Sequence, residues 1–149
     1  MNYFLVYLAF SFGTISSQTS VEIPKNVTSN SRLTIHVQNI KTLDGDLKIG
    51  IFNTDADFLE ENSTVKAYTV AVDEATETLV IDDLPEGDYA ISMYHDENSD
   101  GILNRNFFGI PKEPYGFSNN IKPKLSAPDY EDCKFIFIKD CVLEINLVH

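Results

Sequence analysis

Apolar side chains recur at every second position in short runs, and this period confines the chain to β-structure. Leu33-Thr34-Ile35-His36-Val37 alternates cleanly, with Leu33, Ile35 and Val37 on one face. A strand points successive side chains to opposite faces, so such a run offers one apolar face to a core. Leu47, Ile49 and Ile51 repeat the pattern, as do Tyr89, Ile91 and Met93, and then Leu143, Ile145 and Leu147. Further strands are expected at 67–72, 78–81 and 135–138, and no amphipathic helical period is sustained anywhere. Turn chemistry separates the runs: Leu84-Pro85-Glu86-Gly87 places a proline before and a glycine after a tight reversal. Asp44-Gly45 is a favoured hairpin dipeptide, so the first two strands are expected to pair antiparallel. The fold class that follows is all-β, a single antiparallel β-sandwich of about seven strands over residues 32–149. One long irregular loop, from 95 to about 132, interrupts it.

Charge narrows the partners. With 23 acidic and 11 basic side chains the net charge is −12. A surface of that sign repels nucleic acid and anionic lipid, because it has no basic stripe to release counterions. It suits cations, basic partners and solubility. A hydrophobic content of 43% places the chain among folded domains rather than disordered ones.

The first residues are a different material. Met1 to Gly13 reads MNYFLVYLAFSFG, apolar and without a charged side chain, followed by the small residues Ser16 and Ser17. That is the form of a secretory leader over residues 1–17, too short to span a bilayer and ending at a site suited to cleavage. Residues 18–31 are polar and are expected to be a flexible mature N-terminus. No later segment reads as a membrane span. Export makes Cys133 and Cys141 worth weighing as a disulfide. A hairpin turning at Lys139-Asp140 would set Cys141 opposite Ile138 and leave Cys133 several residues away. Bridging needs Cα atoms within about 7 Å, so two separate thiols are expected.

The long loop concentrates the chemistry. Asp96, Asn98 and Asp100 offer oxygens at alternate positions, with Gly101 next. This spacing wraps a hard cation: alternate side chains share one side, and glycine turns the chain so that the Ile102 carbonyl points inward. Leu103 would then anchor the loop in the core. The bidentate carboxylate such a Ca²⁺ loop requires at its twelfth position is here Phe107, so another oxygen, from Asn104, Asn106, Glu113 or water, must complete the site. The competing reading is a loop held by its own side-chain-to-backbone bonds, which the same residues also make. His95 beside Asp96 suggests a general base oriented by Asp96 or Glu113, yet no Ser or Cys nucleophile stands in a recognisable elbow. Zinc would need more ligands than His95 alone. Phe107, Phe108, Tyr115 and Phe117 follow among glycines and prolines and are candidates, with His95 and Glu113, for a binding surface.

The runs His95-Asp96-Glu97-Asn98-Ser99-Asp100-Gly101 and Phe107-Phe108-Gly109-Ile110-Pro111-Lys112-Glu113-Pro114-Tyr115-Gly116-Phe117-Ser118-Asn119-Asn120 resemble the signature of a bacterial secreted family catalogued as domain of unknown function 2141. The resemblance extends from about Leu33 to Val148 and takes in Leu84 to Ala90 and Tyr130-Glu131-Asp132. It implies an exported Gram-negative protein with a small β-sandwich fold, and no activity. A Leu-Pro-x-Gly-x-Tyr turn feeding a strand is also similar, at fold level, to transthyretin-like and collagen-adhesin-type modules. The resulting expectation is a secreted or periplasmic, non-catalytic binding or accessory module, with Ca²⁺ at Asp96, Asn98, Asp100 and the Ile102 carbonyl. Its partner would be an envelope protein or a small ligand. Two alternatives stand beside it: a small hydrolase-like enzyme using His95 with Asp96 or Glu113, and a structural envelope protein recognising a partner through the 107–117 aromatics.

Overall fold

A computed structural model describes residues 31–60, 62–124 and 126–149. The expected leader (1–17) and nearly all of the 18–31 segment lie outside these. Among the described residues eight strands form: β1 (Leu33–Gln38), β2 (Asp46–Phe52), β3 (Lys66–Ala71), β4 (Glu77–Ile81), β5 (Gly87–Asp96), β6 (Tyr115–Phe117), β7 (Phe135–Phe137) and β8 (Cys141–Asn146). A single helical turn, α1 (Tyr130–Cys133), precedes β7. The all-β sandwich is what the alternation requires: Leu33, Ile35 and Val37 from one sheet meet Leu47, Ile49, Ile51, Ile91 and Met93 from the other in one buried cluster. Each such side chain contributes about 1.5–3 kcal/mol by leaving water. Among the described residues no helix is long and apolar enough to cross a membrane.

The pairing differs from the expected hairpins. β1 and β2 lie in different sheets: β1 pairs β4 antiparallel and β8 parallel, while β2 pairs β3 and β5. The chain from Asn39 to Gly45 is an arch between the sheets rather than a hairpin turn. Both strands need their apolar faces on the same core, and facing across it satisfies that as fully as lying side by side. β7 and β8 do not form a hairpin either, since β7 joins β5 and β8 joins β1. The connection after β2 folds over the outer face of its sheet. There Phe58 packs edge-on to Phe52 (5.2 Å) and to Tyr130 (5.7 Å), in a second cluster with Ala90, Phe117 and Cys133.

β5 is the spine. One edge pairs β2 from Asp46 to Phe52; the other takes β7 at Gly87–Tyr89 and β6 at Ser92–Tyr94. Ile91 falls between those two short partners, and the hydroxyl of Ser118 accepts its N–H (2.9 Å) while donating to the Cys133 carbonyl. A bridge between Tyr115 and Val148 ties the segment after β8 to β6.

Cys133 and Cys141 are both free thiols. Burial, reinforced by the charges of Asp132 and Asp129, pushes the Cys133 thiol up to about 12. At pH 8 its thiolate fraction is then on the order of 10⁻⁴. A thiol reagent at that pH should label Cys141 in the native protein and reach Cys133 only in denaturant. Equal native rates at the two positions would contradict this packing.

Candidate functional site

The spine ends at the 95–101 stretch, and its last two side chains turn inward. His95 and Asp96 are fully buried. His95 donates through Nε2 to the Asp44 carbonyl (2.7 Å), and its Nδ1, without a hydrogen-bond partner, faces Glu97 Oε1 at 3.9 Å. Asp44-Gly45, read as a hairpin turn, instead carries this contact: Gly45 has φ +80, and a Cβ there would lie 2.0 Å from the Asp96 carbonyl oxygen. Only glycine allows both the left-handed backbone and that approach.

The Asp96 carboxylate accepts the N–H groups of Asp100 (3.1 Å) and Gly101 (2.8 Å). Asn98 Oδ1 also accepts the Asp100 N–H, and Asp100 Oδ1 accepts that of Ile102 (2.9 Å). Glu113, 6% exposed, closes the loop from outside it: Oε1 accepts the Glu97 N–H (3.1 Å) and Oε2 the Asn104 N–H (2.8 Å). Five backbone donors of one loop, at 97, 100, 101, 102 and 104, are thus met by side-chain oxygens. Such charge-assisted bonds are stronger than neutral ones and offset the cost of burying the anions. Tyr94 donates to the Gly101 carbonyl (2.9 Å); its hydroxyl is held above its ordinary pKa by burial first and by the charges of Asp96, Glu113 and Asp100 second. Leu103 is half-buried and joins neither core cluster, so it does not anchor the loop; Glu113 does.

On the exposed side Asn98, Asp100 and Asn104 converge. Both amides donate to Asp100 Oδ2 (2.9 and 3.0 Å). These contacts and the Ile102 N–H hold the Asp100 carboxyl below its usual range, with Asn104 the largest cause. The Ile102 side chain is 64% exposed. Among the described residues no group of three or more His, Cys, Asp and Glu side chains is placed to hold a metal ion.

The stretch read as irregular continues as a small hairpin. Asn104 and Lys112, and Asn106 and Ile110, pair across it, with a bridge between Arg105 and Pro111. Gly109 donates to the Asn106 carbonyl (2.9 Å) and takes φ +78, the glycine position of a three-residue hairpin loop. Asn106 Oδ1 accepts the N–H groups of Phe108 and Ile110. Phe107 and Phe108 therefore occupy the two outermost positions, 97% and 83% exposed, with their rings edge-to-face at 5.5 Å. The other residues proposed for a binding surface are not at the tip, though Tyr115 and Phe117 line one hollow with Phe108. His95, Glu113 and Phe117 are buried, and Tyr115, half-buried, packs on Phe117 in β6.

The three residues of the hydrolase-like alternative, His95, Asp96 and Glu113, are all buried. Each is engaged separately with backbone groups of the loop or of Asp44. The end of the signature is scaffold too. Asn119 donates to the Asp132 and Lys134 carbonyls, and Asn120 clasps Glu144 and Asn146. Sequence reading missed the Asn106–Gly109 turn, although Asn at the first and Gly at the last turn position is a usable signal. It also missed Ser118, whose contacts are all distant in sequence.

Glu113→Ala should destabilise the domain by about 2 kcal/mol by stripping two part-buried N–H groups of their acceptor. Glu113→Gln, keeping one oxygen, should cost less. Urea midpoints at an unchanged slope read the difference. Asp100, its pKa lowered by folding, stabilises the loop above the usual aspartate range, and that contribution fades as acid carries the pH down through its folded value.

The comparisons with curated proteins and with solved structures give no match. A family model matches residues 35–145, from β1 to β8 and across the whole 95–120 region. The chain belongs to the family described as an uncharacterized protein conserved in bacteria, DUF2141.

Proposed function

We propose that this protein is a secreted or periplasmic, non-catalytic binding or accessory module that engages its partner through the tip of the 104–112 hairpin. One observation carries the reading: Phe107 and Phe108 stand almost wholly in solvent on a turn braced by Asn106 Oδ1. A large apolar side chain gains nothing for folding at such exposure, and contiguous exposed apolar surface marks contact sites. The engagement of His95, Asp96 and Glu113 with backbone groups supports a non-catalytic role. Secretion rests on the 1–17 leader pattern.

Incubated with the sedimentable envelope fraction of a Gram-negative bacterium, the protein should co-sediment. The Phe107→Ser/Phe108→Ser variant should stay in solution while its stability changes by no more than about 0.5 kcal/mol. Equal co-sedimentation of the two would remove the tip as the contact.

A second reading adds Ca²⁺, favoured by the meeting of Asn98, Asp100 and Asn104 at an exposed, ionised carboxylate. A half-turn of either amide presents its oxygen in place of its nitrogen, giving a hard donor set with Asp96 and the Ile102 carbonyl. Millimolar Ca²⁺ should then raise the melting temperature and a chelator reverse it. An unchanged melting temperature would leave the loop self-braced and end the Ca²⁺ reading.

A further inference from the structure

We propose that the occupant of the hairpin tip is the interfacial layer of a lipid bilayer, into which Phe107 and Phe108 insert. The inference rests on the binding-module reading and adds the chemistry of the partner.

The shape of the tip is the first argument. Two adjacent rings at 97% and 83% exposure form a convex protrusion, backed by Ile110 at 58%. A protein partner would have to supply a cavity matched to it. The headgroup boundary of a bilayer accepts an apolar wedge of any outline, and aromatic rings concentrate at that depth. The cost of entry is lowered because pairing and Asn106 Oδ1 satisfy the N–H groups of Asn106, Phe108, Gly109 and Ile110.

Charge is the second argument. In a chain of net −12, residues 101–128 contain Arg105, Lys112, Lys122 and Lys124, and their single acid is Glu113. The four cations are exposed, while Glu113 is buried and bound to backbone N–H groups. Arg105 reaches the tip, donating from Nη1 to the Gly109 carbonyl (3.2 Å). Arg105 and Lys124 line one hollow of about 440 Å³ with Phe108, Ile110 and Tyr115, and among the described residues its lining contains no carboxylate. Cations beside an apolar wedge match the phosphates above an acyl layer. The exposed acid Asp100 lies at the base of the hairpin. Three residues of extended chain, Asn104 to Phe107, put the tip about 10 Å further out. That is on the order of the screening length in physiological salt, so the acidic body is muted at the bilayer while the tip cations are felt. The chain-wide charge disfavours anionic lipid, and the tip reverses that preference locally and sets the orientation of approach.

The chain has no tryptophan, so Phe107→Trp installs a single reporter where the first contact would occur. With vesicles of equal parts phosphatidylethanolamine and phosphatidylglycerol, its emission should shift to the blue and be quenched by lipids brominated near the headgroup. Co-sedimentation with the same vesicles should fall about tenfold or more in Phe107→Ser/Phe108→Ser, which removes both wedges. It should fall several-fold, with a weaker salt dependence, in Arg105→Ser/Lys124→Ser. Unchanged emission at millimolar lipid, with tip-dependent retention by the envelope fraction intact, would overturn the lipid assignment. It would point to a protein partner and leave the binding module standing. Vesicle binding that survives loss of both phenylalanines would overturn the tip as the wedge. Loss of binding to vesicles and envelope alike would overturn both proposals.

Discussion

Two buried carboxylates organise the functional end of this molecule. Asp96 and Glu113 are withdrawn from water, and their acceptors are filled by backbone N–H groups of a single loop. A desolvated anion is costly unless hydrogen-bonded, so the loop is not free to choose its course. It must return at Asp100 and Gly101 to meet Asp96, and pass Glu97 and Asn104 to meet Glu113. The positive φ at Ser99 and Gly101 is the backbone response to those demands. Because Glu113 lies beyond the hairpin in sequence, satisfying it also closes the hairpin's base.

The same constraint couples the tip to the core. Asp96 ends β5, and β5 sends Tyr89, Ile91 and Met93 into the main cluster while pairing on both edges. On one edge the ladder is broken between β6 and β7, and Ser118 restores the missing bond at Ile91. Asn119 and Asn120 then fasten the chain after β6 to the strands on either side. The hairpin is thus mounted on a strand paired on both edges, which limits the entropy it loses when its tip is held.

How much of this was legible in sequence depended on the range of the signal. Alternation is local, and it located the strands at Leu33–Val37, Leu47–Ile51, Tyr89–Met93 and Leu143–Leu147 together with their inward faces. Pairing is not local: Asp44-Gly45 suits a hairpin turn and equally suits an arch whose carbonyl caps His95. β6 is three residues around a glycine, too short for a period to register, and it exists because β5 offers an open edge. Asp96-x-Asn98-x-Asp100-Gly101 was ambiguous for a chemical reason. Oxygens spaced to wrap a cation are also spaced to accept the loop's own N–H groups. Glu113 gave no local hint, since both its partners belong to a different segment.

An exposed pair of phenylalanines carries a hazard, because apolar tips on neighbouring copies attract one another. Two features of the chain oppose that outcome while leaving the tip available. The net charge of −12 makes copies repel, and the local cations concentrate that repulsion on the body away from the tip. The hairpin's arms are short and carry Pro111, so they offer another chain little strand edge on which to template. A surface selected only for solubility would have replaced Phe107 and Phe108 with polar turn residues at no cost to the fold, since neither ring is covered by it. Their presence on a hairpin held at its base by Glu113 and at its tip by Asn106 is therefore a statement about contact, and stability does not account for it.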